Sequence, residues 1–462
     1  MKNKTLLTAA LVAIGMGVFA AGELDNAVLH GDTDKARAID YAPGETMTFT
    51  LKLQGAKPFA DGEYFIHWLR SGDDGIRESG KAPANQPFVY KTKIDKPGFV
   101  RLTASVYDKN GKQYRKQFTG DASTPEGRQA MNRFERMDKR VFFDGGAGVQ
   151  MEKLVSHPEP QDFDAFWAKQ YARLDAVPIK AELKDVKSNN PKARIYAVSV
   201  ACAGVRPVTG YLSVPTAVDE GKTFPARLET HGYSGDRCTH GTPNWARDNE
   251  IVFNINAHGL LLTQFGGNEE YTKKLREQIR SNGHTYAFDP AQNADPEKAY
   301  FNGMVLRVKR ALQYLKTVKG WDGKNLLASG GSQGGLQTIW AAGCGEGVTR
   351  AESGITWCCD MYTSGKLRKD PKLQLASDGW YIPWTDALGY YDAANFARRI
   401  PKSCYTIITR AGLGDYCCPP TGIAKMSNNM TCPKQLNWVQ GSTHGYVPPE
   451  PHQAFTLDAP AK

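Results

Sequence analysis

Three side chains able to carry out acyl transfer stand in the last third of the chain, each flanked by glycine: Ser332, Asp415 and His444. Ser332 lies in Gly330-Gly-Ser-Gln-Gly-Gly335, which contains G-x-S-x-G. Glycines beside a serine let a strand and the following helix approach closely, so the corner is sharp and the hydroxyl is pushed out at its tip. The first free N–H groups of the helix then face the space before the hydroxyl, where an oxyanion can be held. A plain glycine-rich turn explains the pentapeptide alone equally well, so its context decides.

A serine nucleophile needs a base, and the base needs an orienting acid. Only His444 and His452 follow Ser332. His444 comes after Gln435-Leu-Asn-Trp-Val-Gln440, a final strand, whereas His452 sits among Pro448, Pro449 and Pro451 and is a poor base. Asp415 follows the strand-like Cys404-Tyr-Thr-Ile-Ile-Thr-Arg410 through a glycine-rich loop, and it is the preferred acid. Asp360, after Ile355-Thr-Trp-Cys-Cys359, is the alternative. The backbone N–H of Gln333 and that of Tyr233, in His231-Gly-Tyr233, are the expected oxyanion donors. Trp380 and Trp384 are candidates for a sugar-stacking wall, with lid or core packing as the plain alternative.

The elements that must position these residues can be traced along the chain. Residues 22–125 alternate apolar and polar positions in Met47–Leu53, Tyr64–Leu69, Phe88–Ile94 and Phe99–Tyr107, with Gly, Pro, Asp and Asn between them. That pattern predicts a small antiparallel, immunoglobulin-like β-sandwich. Polar residues 126–150, ending in Asp144-Gly-Gly-Ala-Gly148, read as a linker. From 151 to 462 the pattern changes to helical stripes between apolar strands, for example Met304, Val305, Val308, Ala311, Leu312 and Leu315 on one helix face. Strand, loop, strand, helix, strand, sharp corner and helix in that order predict a mostly parallel α/β sheet covered by helices on both faces.

A chain of 462 residues with 41% hydrophobic and 23% charged residues fits a globular protein of two or more domains. Its net charge of +10 is scattered rather than collected in Lys/Arg blocks, which argues against nucleic-acid binding. Lys2 and Lys4 precede an apolar stretch from Leu6 to Phe19 and small residues to Ala21, so residues 1–21 read as a signal peptide and the protein as exported, periplasmic or extracellular. No later segment is apolar enough for a membrane span. In an oxidising compartment the nine cysteines, all from Cys202 onward, are expected to form structural disulfides. The doublets Cys358-Cys359 and Cys417-Cys418 lack zinc-ligand spacing.

Taken together, Pro160-Gln-Asp-Phe-Asp-Ala-Phe-Trp167, His231-Gly-Tyr233, the Gly-Gly-Ser-Gln-Gly-Gly corner, Gly389-Tyr-Tyr-Asp-Ala-Ala-Asn-Phe-Ala397, Gly414-Asp-Tyr-Cys-Cys-Pro-Pro420 and His444 resemble, in order, the acetyl xylan esterase and cephalosporin-C deacetylase family of α/β-hydrolases. The resemblance spans roughly residues 145–455. It implies Ser332 as nucleophile, Asp415 as acid, His444 as base, and Tyr233 with Gln333 as oxyanion donors. Two positions depart from the family: Ala257-His-Gly-Leu260 stands where Arg-Gly-Gln is usual, and Gly445 where a Glu commonly follows the histidine. The first motif is tied to assembly in the family, so the oligomeric state stays open. The expectation is an exported serine esterase that deacetylates carbohydrate such as acetylated xylan through an acetyl-enzyme, with no metal or organic cofactor. The rival readings are a secreted peptidase or other acyl hydrolase with the same triad, and a non-catalytic glycan-binding protein on a hydrolase scaffold.

Overall fold

The computed structural model describes residues 22–234, 245–366 and 380–460. The expected signal peptide and Cys238 lie outside the described residues. The N-terminal strands are β1 (Val28–Thr33), β2 (Met47–Gln54), β3 (Tyr64–Gly72), β4 (Glu78–Pro83), β5 (Phe88–Thr92) and β6 (Gly98–Asp108), then helix α1 (Pro125–Glu135) and β7 (Phe142–Val149). They form two antiparallel sheets, β1-β2-β5 and β4-β3-β6-β7. Leu29, Met47, Phe49 and Leu51 of one sheet meet Ile66, Val100, Leu102, Ala104 and Val106 of the other in a single buried core. The period-two spacing of those residues is what places them on one face.

The linker expectation for residues 126–150 is corrected: this stretch carries most of α1 and the whole of β7, an edge strand of the four-stranded sheet. Its glycines serve close packing rather than flexibility. A Cβ on Gly146 would fall 2.2 Å from the Phe99 ring, and one on Gly145 would fall 2.2 Å from Gln440 Oε1. All eight residues of β7 are buried, which a glycine-rich composition disguises.

The larger sheet has ten strands in the order β17-β16-β15-β14-β13-β11-β12-β10-β9-β8. In chain order these elements are α2 (Phe163–Asp175), β8 (Ala181–Val186), β9 (Ala193–Val200), β10 (Val208–Pro215), β11 (Phe224–Thr230), β12 (Ile251–Ile255), α3 (Glu269–Gln278), α4 (Tyr300–Leu315), β13 (Trp321–Gly331) and α5 (Gln333–Gly343). Then come β14 (Arg350–Gly354), α6 (Met361–Lys366), α7 (Ala393–Ala397), β15 (Tyr405–Gly412), α8 (Pro420–Asn429), β16 (Lys434–Val439) and β17 (Ala454–Ala459). Strands β12, β11, β13, β14, β15 and β16 are parallel, and β8, β9, β10 and β17 pair antiparallel at the edges. Strand β11 lies between β12 and β13, so the chain leaves it in one direction and returns on the other side. The crevice at the carboxyl ends of such strands is where ligands bind in open α/β sheets.

Two further expectations change. Ile355–Cys359 is not a strand: β14 ends at Gly354, and Ile355, Cys358 and Asp360 have φ of 39°, 56° and 55°, in the left-handed region. Asp360 therefore turns away, accepting from the His157 N–H at 3.1 Å and pairing with Lys425. Disulfides are absent among the described residues. Cys344, Cys358, Cys359, Cys404, Cys418 and Cys432 belong to the apolar core and pack as small hydrophobes. Burial pushes the Cys344 and Cys404 thiols up to about 12.

The sandwich is built into the catalytic half rather than hung from it. Gln440, just past β16, accepts the Gly146 N–H at 2.9 Å and donates to Gly146 O at 2.8 Å. Gln453 bonds Thr33 through backbone and side chain. The Phe142 and Tyr446 rings meet at 5.1 Å, and a Cβ on Gly414 would lie 1.9 Å from Asp144 O. The N-terminal domain thus grips both the loop before α8 and the loop after β16. Removing Gln440 would strand a buried N–H and C=O on β7. Gln440→Ala is expected to lower stability by about 2–3 kcal/mol, measured as a shift in urea unfolding midpoint, with an unchanged midpoint as the contrary result.

Candidate active site

Ser332 joins β13 to α5 with φ 58° and ψ −120°. A non-glycine residue held there costs of order 1–3 kcal/mol, so the surroundings must hold it. The Ser332 N–H donates to Gly354 O at 2.9 Å, and Ser332 O accepts from Leu336 N–H at 3.0 Å and Trp357 N–H at 3.2 Å. The glycines leave room for this corner. A Cβ on Gly330 would fall 2.3 Å from Thr230 Oγ1, one on Gly334 2.7 Å from Thr230 O, and one on Gly335 2.7 Å from Ser353 Oγ. Any side chain at those three places would push α5 away from β11 and β14.

His444 Nε2 lies 3.0 Å from Ser332 Oγ, and its Nδ1 lies 3.1 Å from Asp415 Oδ2. Asp415 accepts two more bonds on Oδ1, from the N–H groups of Cys417 and Cys418, each at 2.9 Å. Its carboxylate is 1% exposed, so it has no water to reorient it. With Asp415 accepting, the imidazole carries its proton on Nδ1 and presents a lone pair from Nε2 to the serine. Arg410 donates to His444 O at 2.9 Å and anchors the loop beyond β16. A hydroxyl, an oriented imidazole and a buried carboxylate in this chain of contacts can perform nucleophilic acyl transfer.

The loop after β11 lies directly against the corner: a Cβ on Gly232 would be 3.8 Å from Gly331 O and 4.0 Å from Ser332 Cβ. Tyr233 and Gln333 therefore flank Ser332 from two sides. Sequence reasoning missed what holds this loop. His231 Nε2 accepts the Ala257 N–H at 3.0 Å while Nδ1–H donates to Gly232 O at 2.7 Å. His258 Nδ1 accepts from Tyr300 Oη at 2.8 Å, and its Nε2–H donates to Ser234 O. The Tyr286 hydroxyl accepts from Ser234 N–H at 3.1 Å and donates to Gln333 Oε1 at 2.8 Å. The only signal for these residues was histidine placed just past two strand ends, at 231 and 258.

The Tyr233 ring stacks on Tyr286 with centroids 4.3 Å apart and meets Trp380 edge to face at 5.2 Å and Trp357 at 5.6 Å. Trp380, 42% exposed, stands on this wall. Trp384 does not share those contacts: its ring meets His157 and Tyr362, and its Nε1–H donates to Asp386. It lines a separate cavity with Pro158, Pro296 and Tyr390. Among the described residues one group of potential metal ligands, Asp415, Cys417 and His444, coincides with the site.

A ten-stranded sheet with a switch point, a serine corner between strand and helix, and a histidine loop after a late strand define an α/β-hydrolase. Residues 151–372 match the model of the acetyl xylan esterase (AXE1) family. The chain is 28% identical over 317 residues to the acetyl esterase Axe7A of Xylanibacter ruminicola, covering 65% of this chain and 68% of that protein. The acetyl xylan esterase from Paenibacillus sp. R4 superposes with a TM-score of 0.51 at 23% identity, over 65% of this chain and 94% of that one. Acetyl xylan esterase 1 from Thermoanaerobacterium sp. JW/SL YS485 gives 0.52 at 19% identity, with the same coverages. The two structures speak for the fold. Over residues 151–372 the chain is thus similar to the acetyl xylan esterase family, and it is a carboxylic ester hydrolase of the carbohydrate esterase kind.

The clamp on the Tyr233 loop has a pH signature. Burial, with help from nearby His231, Arg307 and Arg206, holds His258 at about 3, well below the ordinary 6.5. Between those values the unfolded chain binds a proton that the folded chain refuses. The His258 contribution is therefore complete above pH 6.5 and is lost progressively as pH falls towards 3. Urea unfolding across that range should show a weaker pH dependence in His258→Gln than in the wild type; parallel curves would refute the assignment.

Proposed function

We propose that this chain is an exported serine esterase that removes acetyl groups from carbohydrate, acetylated xylan or its oligosaccharides, through Ser332, His444 and Asp415. The observation that carries the reading is the continuous hydrogen-bond path from Asp415 through His444 to Ser332 Oγ. His444 takes the hydroxyl proton as Ser332 attacks the acetyl carbonyl, and the Tyr233 and Gln333 N–H groups receive the oxyanion. The imidazolium, steadied by Asp415, then protonates the departing sugar oxygen to leave an acetyl-enzyme. His444 next activates a water that attacks the acetyl carbon, and acetate departs with Ser332 restored. The partly exposed Trp380, beside Tyr233, offers an apolar face for a sugar ring. Carbohydrate as substrate is supported by the family of the catalytic domain, and xylan by the names of its relatives. Export is supported by the basic and then apolar N-terminal segment.

The test is acetate release from acetylated xylan and from a small chromogenic acetyl ester. Ser332→Ala is expected to lose ~10⁶ in kcat and Asp415→Asn ~10⁴, with both proteins folded by circular dichroism. Turnover of the small ester without xylan would move the substrate to another acylated glycan, and full activity in Ser332→Ala would overturn the mechanism. N-terminal sequencing of the exported product should begin after Ala20 or Ala21.

A further inference from the structure

The outer face of the sandwich carries side chains that neither its core nor the esterase mechanism uses. Ile66, Leu102, Ala104, Val106 and Phe143 belong to the sandwich core. Their chain neighbours His67, Thr103, Ser105, Tyr107 and Phe142 therefore come out on the other side of the β4-β3-β6-β7 sheet. Register sets His67, Ser105 and Phe142 in one cross-strand row and Leu69, Thr103 and Asp144 in the next. These rows line a cleft of about 540 Å³, and Tyr416, the residue after Asp415, stands in its wall. The volume falls within the ~300–1,000 Å³ of small-molecule sites.

The lining combines flat rings with polar groups held in place. His67 and Tyr107 stack with centroids 4.3 Å apart, and the Arg140 guanidinium caps the Phe142 ring at 4.6 Å. Burial and nearby Lys81 keep the His67 imidazole below its ordinary pKa, so that ring is neutral at pH 7. Arg101 donates to Asp144 through Nε at 2.8 Å and also through Nη2, with both side chains only 11% exposed. An ion pair so withdrawn from water is weak evidence for stability. Arg140 is paired in turn with Asp138. Both guanidinium charges are thus compensated, which leaves little attraction for phosphate or carboxylate, while Thr103 and Ser105 add hydroxyls that donate and accept. Rings beside compensated forks and hydroxyls suit a neutral ligand that has apolar faces and many hydroxyls.

We propose that this cleft binds a neutral oligosaccharide, an unreacted stretch of the same glycan chain whose acetyl groups are removed at Ser332. A sugar ring lays its C–H face on an aromatic ring of the cleft, and its hydroxyls bond Arg101, Asp144 and Thr103. The cleft and the catalytic acid share one loop, through Tyr416 and through Asp144 O against Gly414. A chain held on the sandwich therefore keeps its other residues near the serine, at a raised effective concentration. The cleft favours the polymer over a small ester without any new contact at the serine. Sugar binding stands on the cleft itself, whereas its benefit to turnover rests on the esterase reading above.

The experiment measures xylohexaose binding to the full-length protein by isothermal titration calorimetry. In parallel it follows acetate release from acetylated xylan and from the small acetyl ester. Tyr107→Ala removes a ring from the cleft, and Ser105→Arg fills the cleft from the outer face of β6. Both variants are expected to bind xylohexaose at least ~3-fold more weakly, the scale of one lost ring contact, and to raise KM for acetylated xylan by a similar factor. Both should keep the wild-type kcat and KM for the small ester, which also shows that the catalytic half is folded. Xylohexaose binding unchanged in both variants would overturn the proposal, as would a wild type that does not bind xylohexaose. An unchanged KM for acetylated xylan in both variants would keep the proposed function and overturn the role of the cleft. If the wild type releases no acetate from xylan, the calorimetry still decides the cleft, and only the proposed substrate fails.

Discussion

The strained corner at Ser332 is the constraint on which the rest of the catalytic half depends. A residue with a side chain is held where glycine would rest more easily, and nothing within the pentapeptide itself compensates. The compensation comes from packing: β13 between β11 and β14, α5 pressed against both through Gly330, Gly334 and Gly335, and three backbone bonds at Ser332. Held in this way, the hydroxyl meets His444 at hydrogen-bond distance, and the strain becomes a way of aiming it. The three left-handed residues just past β14 belong to the same economy of space, since they bring the Trp357 N–H onto Ser332 O.

The other two members of the Asp415–His444–Ser332 path sit on loops, and loops need something to lean on. The N-terminal sandwich supplies it. Its edge strand β7 bonds Gln440 with both backbone groups of Gly146 and presses Asp144 against Gly414, next to Asp415. Thr33 and Gln453 tie the chain beyond His444 back to the first strand. The sandwich is thus part of the machinery that keeps a carboxylate and an imidazole in register, whatever else its outer surface does.

On the opposite side of the crevice, the Tyr233 loop is fixed by neutral polar groups in an almost dry setting. His231, His258 and Tyr286 each satisfy backbone groups of the loop or its neighbour, and the phenol of Tyr286 reaches Gln333 at the start of α5. The two oxyanion donor candidates are therefore linked through one tyrosine hydroxyl. Buried hydrogen-bond networks of this kind rigidify a site, because each partner lost leaves a polar group with no water to turn to. His258 holds Ser234 O and the Tyr300 hydroxyl, so the stretch just past β12 serves the loop beside the serine.

Much of this was legible in the residues. Alternation at a spacing of two marked β2, β3, β5 and β6, a helical stripe marked α4, and the glycines around Ser332 marked the corner, because each of these is a local consequence of backbone geometry. The order of Ser332, Asp415 and His444 and their placement after strand-like runs are likewise properties of the chain. Where local composition and tertiary use diverge, the residues misled. The glycines of β7 suggested a linker because their purpose, letting Phe99 and Gln440 approach, exists only once two distant segments have met. Ile355–Cys359 suggested a strand because its apolar character reflects burial, not extension. The cysteines suggested bridges because spacing cannot tell a thiol packed among leucines from one facing a partner. The distances among Ser332, His444, Asp415 and Cys417 belong wholly to the tertiary structure: four side chains on three loops acquire a common geometry only when the parallel sheet sets those loops side by side.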